Sequence, residues 1–456
     1  MREISDQHLF KWISDRPLLH GSVHSIIGNG IGRAAGLFVS IIIAAQYGAN
    51  VHTDAFYLIF AGVAFFLNFF QGTLELSFVP VYSEIRSTNK PEKERFLGSI
   101  FLRILFATAA IAILADILIW SLAPLFWSDQ SRDLSHLTIR LTWEMSPLVI
   151  GLGVSALFMA LFNAERLFMT AGLLPFFPSL GIMIFILLLR DVWGIHALSF
   201  GLLFGGLLQV CVIYWICKKK GFQLKWTFSS SYFDKILRIG SIQAFALFLS
   251  AAIPIIDRVV VSIFLREGHV TALENAVRLL QIPWSLATVG YMNVFFSWWS
   301  SKSAESDWGY VNASFKKLFI FSSIVFIPLS LLLYWEALPI IRIVFGYGKY
   351  SDTAVMATSE VFRYYCLGYW AFMLRSILIR FYSSQQDIHS IGRAAMIDFL
   401  VHLLIIFLLI DKAGIATFGI ATTIGYFVSL GYLLFYYLKF KKNDSQTFSK
   451  TKDNGK

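Results

Sequence analysis

Charge is scarce in this chain of 456 residues: 14% are Asp, Glu, Lys or Arg, while 57% are hydrophobic. A soluble globular domain is about a quarter charged, so the scarcity argues against a water-soluble fold of this size. Cysteine is scarcer still. Cys211, Cys217 and Cys366 lie in apolar runs with no CxxC or CxxH spacing. That pattern excludes a disulfide framework or thiolate metal site and leaves three small packing residues. The signatures of soluble catalysis are missing as well: no Walker loop, no Gly-rich dinucleotide turn, no GxSxG and no HExxH. No enzyme activity, ATP hydrolysis or cofactor is expected. Strand-length alternation is not the pattern either, which argues against a transmembrane barrel.

What the chain has is apolar runs, each long enough to cross a hydrocarbon layer of about 30 Å. They fall near 24–46, 54–82, 97–122, 137–162, 167–189, 195–217, 236–264, 271–298, 314–337, 354–380, 389–410 and 414–438. The fold class is therefore all-α and polytopic, with about 12 transmembrane helices. An even number places both termini on one side. Lys and Arg favour the N-terminal segment and every second loop after it by about four to one. By the positive-inside rule both termini are cytoplasmic, in a cytoplasmic membrane. The net charge of +10 thus reports topology and contact with anionic membrane lipids, not nucleic acid.

Residues 1–23 form a cytoplasmic N-terminus without a cleavable signal peptide, in which 8–19 is expected to lie in the interface with Leu9, Phe10, Trp12 and Ile13 inward. The longest cytoplasmic loop, 218–235, divides the spans six and six. It separates an N-lobe, 24–217, from a C-lobe, 236–438, around a central cavity. Six is even, so the lobes would be parallel repeats about the membrane normal. The polar tail 439–456 is expected to be disordered.

Seven arginines stand inside the spans: Arg33, Arg103, Arg140, Arg258, Arg278, Arg363 and Arg375. Asp54, Asp257, Asp398, Glu75 and Glu144 join them. Ionisable groups at such depth are costly, and they face polar cavities or pair with one another. Arg103, Arg140 and Arg363 are near enough to span ends to snorkel to headgroups. Arg33, Asp54, Arg258 and Arg278 lie deeper or at cavity-facing turns, with Asn275 beside Arg278. Arginine stays charged at any depth, and its planar fork grips phosphate through two hydrogen bonds. Several arginines on one cavity suit a diphosphate-bearing substrate. Asp398 and His402, four apart, share a helix face. They are candidates to couple Na⁺ or H⁺, or an Asp–His hydrogen bond that holds helices together. Prolines interrupt or end spans at 80, 147, 175, 178, 254, 283, 328 and 339. They can kink helices and free carbonyls to line a cavity.

The stretch GRAAGLFVSIIIAAQYGANVHTDAFYLIF (32–60), then GTLELSFVPVYSEI (72–85), resembles the start of the MurJ/MviN lipid II flippases. That family belongs to the multidrug/oligosaccharidyl-lipid/polysaccharide exporter superfamily. IDRVVVSIFLREGHVTALENAVRLLQIPWSLATVG (256–290), VFGYGKYSDTAVMAT (344–358) and RFYSSQQDIHS (380–390) continue the resemblance in the same order. It implies two six-helix lobes that alternate between inward- and outward-open states. It also implies a cationic cavity that passes undecaprenyl-diphosphate-linked saccharides to the outer leaflet. The family's first-span arginine matches Arg33, its second-span acid Asp54 and its eighth-span arginine Arg278; Arg258 falls in the matching seventh-span region. The family's second arginine of span one matches Val39. Its arginine pair late in span two falls around Phe66 and Leu67, with Asn68 adjacent. The family usually carries two further C-terminal helices that form a groove for the lipid tail, and the resemblance leads us to expect this member to lack them.

The expected function is therefore a flippase for a polyprenyl-diphosphate-linked saccharide, either a lipid II-like precursor or an exopolysaccharide repeat unit. It would be a monomer, driven by Na⁺, H⁺ or the membrane potential, working beside cell-envelope synthesis enzymes. A cation-coupled exporter of small molecules is the alternative from the same superfamily. A non-transporting scaffold is a third, against which several costly buried charges argue. A reporter active only in the cytoplasm, fused after Lys439, is expected to be active. Activity there of a reporter that works only outside the membrane would reverse the topology.

Overall fold

The structure, a computed structural model, describes residues 16–86, 90–127, 132–228, 232–287, 308–385 and 387–453, together with 295, 298, 299 and 302. Among these residues there are fourteen helices and no strand. They are α1 (Arg16–Tyr47), α2 (Val51–Arg86), α3 (Lys90–Phe126), α4 (Arg132–Ala164), α5 (Phe168–Leu173), α6 (Phe176–Trp193), α7 (His196–Lys220), α8 (Phe233–Phe264), α9 (His269–Ala287), α10 (Trp308–Trp335), α11 (Ala337–Phe345), α12 (Asp352–Ser384), α13 (Ile388–Ala413) and α14 (Ala416–Asp453). The expected interfacial segment 8–19 lies mostly outside the described residues. The last helix continues to Asp453, into the polar tail whose composition reads as disordered.

Ten helical stretches among the described residues are long and apolar enough to cross a membrane. The sequence pattern gives twelve, and the difference is α9 and α12. Glu274 and Arg278 interrupt α9, and Glu360, Arg363, Arg375 and Arg380 interrupt α12. Hydropathy falls where charge enters, although both helices have the length to span. The fifth expected span is broken at Pro175, which separates α5 from α6. Proline lacks the amide that would continue the helix.

Packing divides the chain into two compact units, residues 1–294 with 340–358, and residues 295–339 with 359–456. This division differs from the boundary the sequence places at loop 218–235. In the first unit α2 packs on α4 and α8, α3 on α4, and α6 on α7. The FVPVYSE element supplies core, because Phe78 and Tyr82, one turn apart on α2, stack at 5.4 Å and Phe96 stacks on Phe78 at 5.5 Å. Tyr82 Oη donates to Glu165 at 2.5 Å and Lys93 Nζ lies 3.1 Å from the same oxygen. The loop after α7 is tied to α3. Lys225 N donates to the Glu94 carbonyl at 3.1 Å, and Arg103 Nη2 donates to the Phe228 carbonyl at 2.7 Å. Arg103 also covers the Phe233 ring at 3.9 Å, so it holds a loop where the sequence suggests a snorkelling side chain.

In the second unit, Phe315, Phe381 and Tyr437 form an aromatic core, with centroids 4.5 to 5.6 Å apart. Tyr382 Oη donates to the Leu433 carbonyl at 2.9 Å, joining α12 to α14. Asp387 caps α13 by accepting from Ser390 N at 3.1 Å.

Glycine sets the approach of α6 and α7. A Cβ on Gly205 would stand 2.4 Å from the Phe177 carbonyl oxygen and 2.6 Å from Pro178 Cα. Both obstacles are backbone and cannot rotate away. Gly205→Leu is expected to destabilise the first unit by about 2 kcal/mol or more through overpacking. A detergent melting curve that matches the unsubstituted protein would refute this.

Candidate functional site

Residues of α1, α2, α4, α5, α6, α7, α8 and α9 line a cavity of about 620 Å³ within the first unit. Its walls are mostly apolar, with Phe56, Phe60 and Phe65 among them. Its charged lining, among the described residues, is Arg33, Arg258, Arg278 and Glu274. Three guanidiniums face one carboxylate, a net charge of two positive.

Local structure brings three of these together. Arg258 near the end of α8 and Glu274 near the start of α9 flank the turn between the helices. Arg258 Nε and Nη2 both donate to Glu274 Oε2, at 3.2 and 2.7 Å. Glu274 and Arg278 lie four apart on α9, and Arg278 Nε donates to Oε1 at 2.7 Å. One carboxylate thus bridges two arginines, with side-chain exposures of 4% for Arg258 and 9% for Glu274. The backbone fixes the guanidiniums from behind. Arg258 Nη1 donates to the Pro254 carbonyl at 2.9 Å, and Arg278 Nη1 to the Gly36 carbonyl at 3.3 Å. Arg278 also lies over the Phe60 ring at 4.8 Å and the Tyr57 ring at 5.6 Å, contacts that favour a cation. Arg33, half-buried on α1, lines the same space.

Glu274 is the residue the sequence reading omits. Its spacing to Arg278 was a visible signal, while its pairing with Arg258 depends on how α8 and α9 meet. Val39, Leu67 and Asn68, where the resembling family carries arginines or lies next to them, also line the cavity. Asn68 keeps a polar group there, and Val39 and Leu67 do not.

Asp54 and Asn275 are not among the lining residues. Asp54, 4% exposed, reaches from α2 to the start of α9. It accepts from Gly268 N at 2.6 Å, Thr271 N at 2.8 Å and Thr271 Oγ1 at 2.6 Å. Four amides at a helix start lack intrahelical partners, and the dipole favours an anion there. Asp54 is thus a cap supplied by another helix, where the sequence groups it with the arginines expected at the cavity. Gly268 takes φ +86°, and a Cβ there would meet the Ala49 carbonyl oxygen at 2.9 Å, so the turn needs glycine on both counts. Asn275, fully buried, begins a relay that runs from Nδ2 to Tyr350 Oη (3.3 Å), on to Thr358 Oγ1 (2.5 Å) and then the Ala354 carbonyl (2.8 Å). Since Thr358 donates to that carbonyl, Tyr350 donates to Thr358 and accepts from Asn275. The relay ties α9 to the VFGYGKYSDTAVMAT segment.

The ion-coupling candidates stand in the second unit. Asp398 Oδ2 lies 3.1 Å from Arg375 Nη2, and Arg375 Nε donates to Ser429 Oγ at 2.5 Å. His402 Nδ1 lies 3.4 Å from Thr422 Oγ1. The carboxylate therefore already holds a cation, Arg375, which joins α12 to Asp398 of α13 and to Ser429 of α14. Among the described residues no group of three His, Cys, Asp or Glu converges to hold a metal ion.

A polytopic helical bundle with a charged, partly buried cavity defines a membrane transporter. The fold agrees: the solved structure of a lipid II flippase MurJ in an inward closed conformation matches with a TM-score of 0.79 at 24% identity, covering 91% of this chain and 87% of that one. An inward-facing multidrug resistance MATE family transporter matches with a TM-score of 0.77 at 14% identity, over 92% and 96%. The model of the lipid II flippase MurJ family matches residues 43–453, and the chain belongs to that family. A probable lipid II flippase MurJ of Thermotoga maritima is 24% identical over 89% of this chain and 83% of that protein. One of Buchnera aphidicola subsp. Acyrthosiphon pisum is 26% identical over 85% and 76%.

Asp54→Ala removes three hydrogen bonds from the start of α9. It is expected to cost about 1–2 kcal/mol of stability and to speed amide exchange at Thr271. Unchanged exchange at Thr271 would refute the capping role.

Proposed function

We propose that this protein moves a polyprenyl-diphosphate-linked saccharide from the cytoplasmic to the outer leaflet of a bacterial cytoplasmic membrane by alternating access. One observation carries the reading: a mainly apolar cavity whose charged lining is three arginines against one carboxylate. Guanidinium forks suit phosphate oxygens, and the apolar wall keeps their field strong. Arg33, Arg258 and Arg278 hold the diphosphate, while the polyprenyl tail stays in the bilayer. Asp54 and Asn275 act at one remove, by fixing the helix that carries Arg278. The family and the names of the relatives favour lipid II as the saccharide lipid. The apolar Val39 and Leu67 leave room for a different head group, such as a neutral repeat unit. Both termini are cytoplasmic in this reading, and the membrane potential or an ion gradient drives transport.

A small-molecule exporter coupled through Asp398 has less support. That carboxylate is paired with Arg375, and a cavity with a positive balance repels cationic drugs.

Proteoliposomes loaded with a fluorescent peptidoglycan precursor lipid or a fluorescent neutral-sugar diphosphate lipid test the reading, with and without an imposed potential. Movement of either lipid supports it, and the faster one names the substrate class. Loss of one charged hydrogen-bonding partner costs roughly tenfold to a hundredfold. Arg33→Ala and Arg278→Ala are expected to slow flipping by at least that lower figure at normal membrane yield. A fully active Arg278→Ala protein removes that residue from the site, and no movement of either lipid by folded protein rejects the function.

A further inference from the structure

We infer that Glu274 is a resident anion that competes with the substrate's diphosphate for Arg258 and Arg278, so that loading the cavity displaces its carboxylate and takes up one proton. The inference rests on the diphosphate reading above.

The donor edges that would grip a phosphate are in use. Nε and Nη2 form the side-on fork of an arginine, and in Arg258 both point to Glu274 Oε2. Arg278 Nε is held by the other carboxylate oxygen. A phosphate therefore cannot take either guanidinium side-on while Glu274 stands between them. Of the three side chains, the carboxylate is the one free to leave. Arg258 is tied to the Pro254 carbonyl, and Arg278 to the Gly36 carbonyl and the Phe60 ring. Glu274 has bonds to the two arginines.

Displacement leaves a buried carboxylate beside a diphosphate, with its counter-ions taken. An uncompensated buried charge of this kind is strongly unfavourable, and protonation removes it. The balance is simple: one proton taken from the buffered solution converts the carboxylate to the acid, and nothing else is consumed. When the diphosphate departs, the acid returns its proton and the carboxylate reclaims both arginines. Glu274 thus serves to release the substrate as well as to fill the empty site.

The groups around Glu274 leave it as the titrating member. Arg258 faces it from α8 and Arg278 from its own helix, and Arg33 of α1 lines the same cavity; guanidiniums stay charged at any working pH. Tyr57 of α2 lies under Arg278 and is neutral below pH 8. Asp54 of α2 is committed to Gly268 and Thr271, and Asp257 of α8 is not among the lining residues. Among the described residues, the other polar lining side chains are amides and hydroxyls, with no histidine.

Calorimetric titration of the purified full-length protein with a short-chain polyprenyl diphosphate sugar decides the matter, since that diester keeps its charge across the range used. Runs at pH 5.5 to 7.5, in buffers of different ionisation enthalpy, count the protons taken up. We expect one proton per ligand and a Kd that falls by up to about tenfold for each pH unit lowered. Glu274→Gln is expected to bind about tenfold tighter than the unsubstituted protein at pH 7.5, independently of pH, and to flip lipid more slowly. Binding without proton uptake in the unsubstituted protein overturns the inference, and that arm stands even where Glu274→Gln does not fold. Proton uptake that persists in a folded Glu274→Gln protein overturns it too. In both cases the diphosphate reading survives. Failure of the folded unsubstituted protein to bind the diester removes both.

Discussion

A buried carboxylate shared between two arginines organises the cavity of this protein. In water such a contact is weak, because solvent screens the charges and each partner has other hydrogen bonds to choose. Behind apolar walls solvent screens less, and separating a charge from its partner leaves it without a counter-ion. The Arg258–Glu274–Arg278 bridge therefore fixes where α8 and α9 sit relative to each other at the level of the cavity. It also sets the charge that a ligand meets there. Arg33 adds a third guanidinium from α1, so the space keeps a positive balance even with the bridge intact.

The same constraint explains the residues that hold the site without entering it. Asp54 spends its carboxylate on the open amides at the start of α9, and Asn275 starts a chain of hydroxyls one turn later. Both tie the helix that bears Glu274 and Arg278 to neighbours outside the cavity. In the second unit Arg375 and Asp398 neutralise each other, and Arg375 also donates to Ser429. Asp54, Arg375 and Asp398 are thus matched locally, while the cavity lining keeps a positive balance. A surplus of that sign is what a transporter of an anionic lipid head needs.

The fold was largely legible in advance. The runs of apolar residues mark the spans, and the two helices that fall short of the hydropathy of a span, α9 and α12, are those that carry charges into the interior. The motifs at 32–60 and 256–290 point to the family that the match over 43–453 establishes. The site was legible only in part. Arg33, Arg258 and Arg278, singled out as buried arginines, line one cavity. Asp54 and Asn275 were visible as costly polar groups, but their partners were not. Glu274 was passed over although it lies one turn from Arg278.

The sequence alone determined that the chain is helical, that its helices are long and apolar enough to cross a membrane repeatedly, and which of them carry charge. Those are properties of a residue and its near neighbours, and hydropathy records them directly. Tertiary structure decided which charges meet. Whether Asp54 faces an arginine or the amides of α9, and whether Glu274 reaches one guanidinium or two, depends on the rotation and contact of helices far apart in the chain. Only the packed fold sets those angles, because side-chain volumes on several helices have to be satisfied at once.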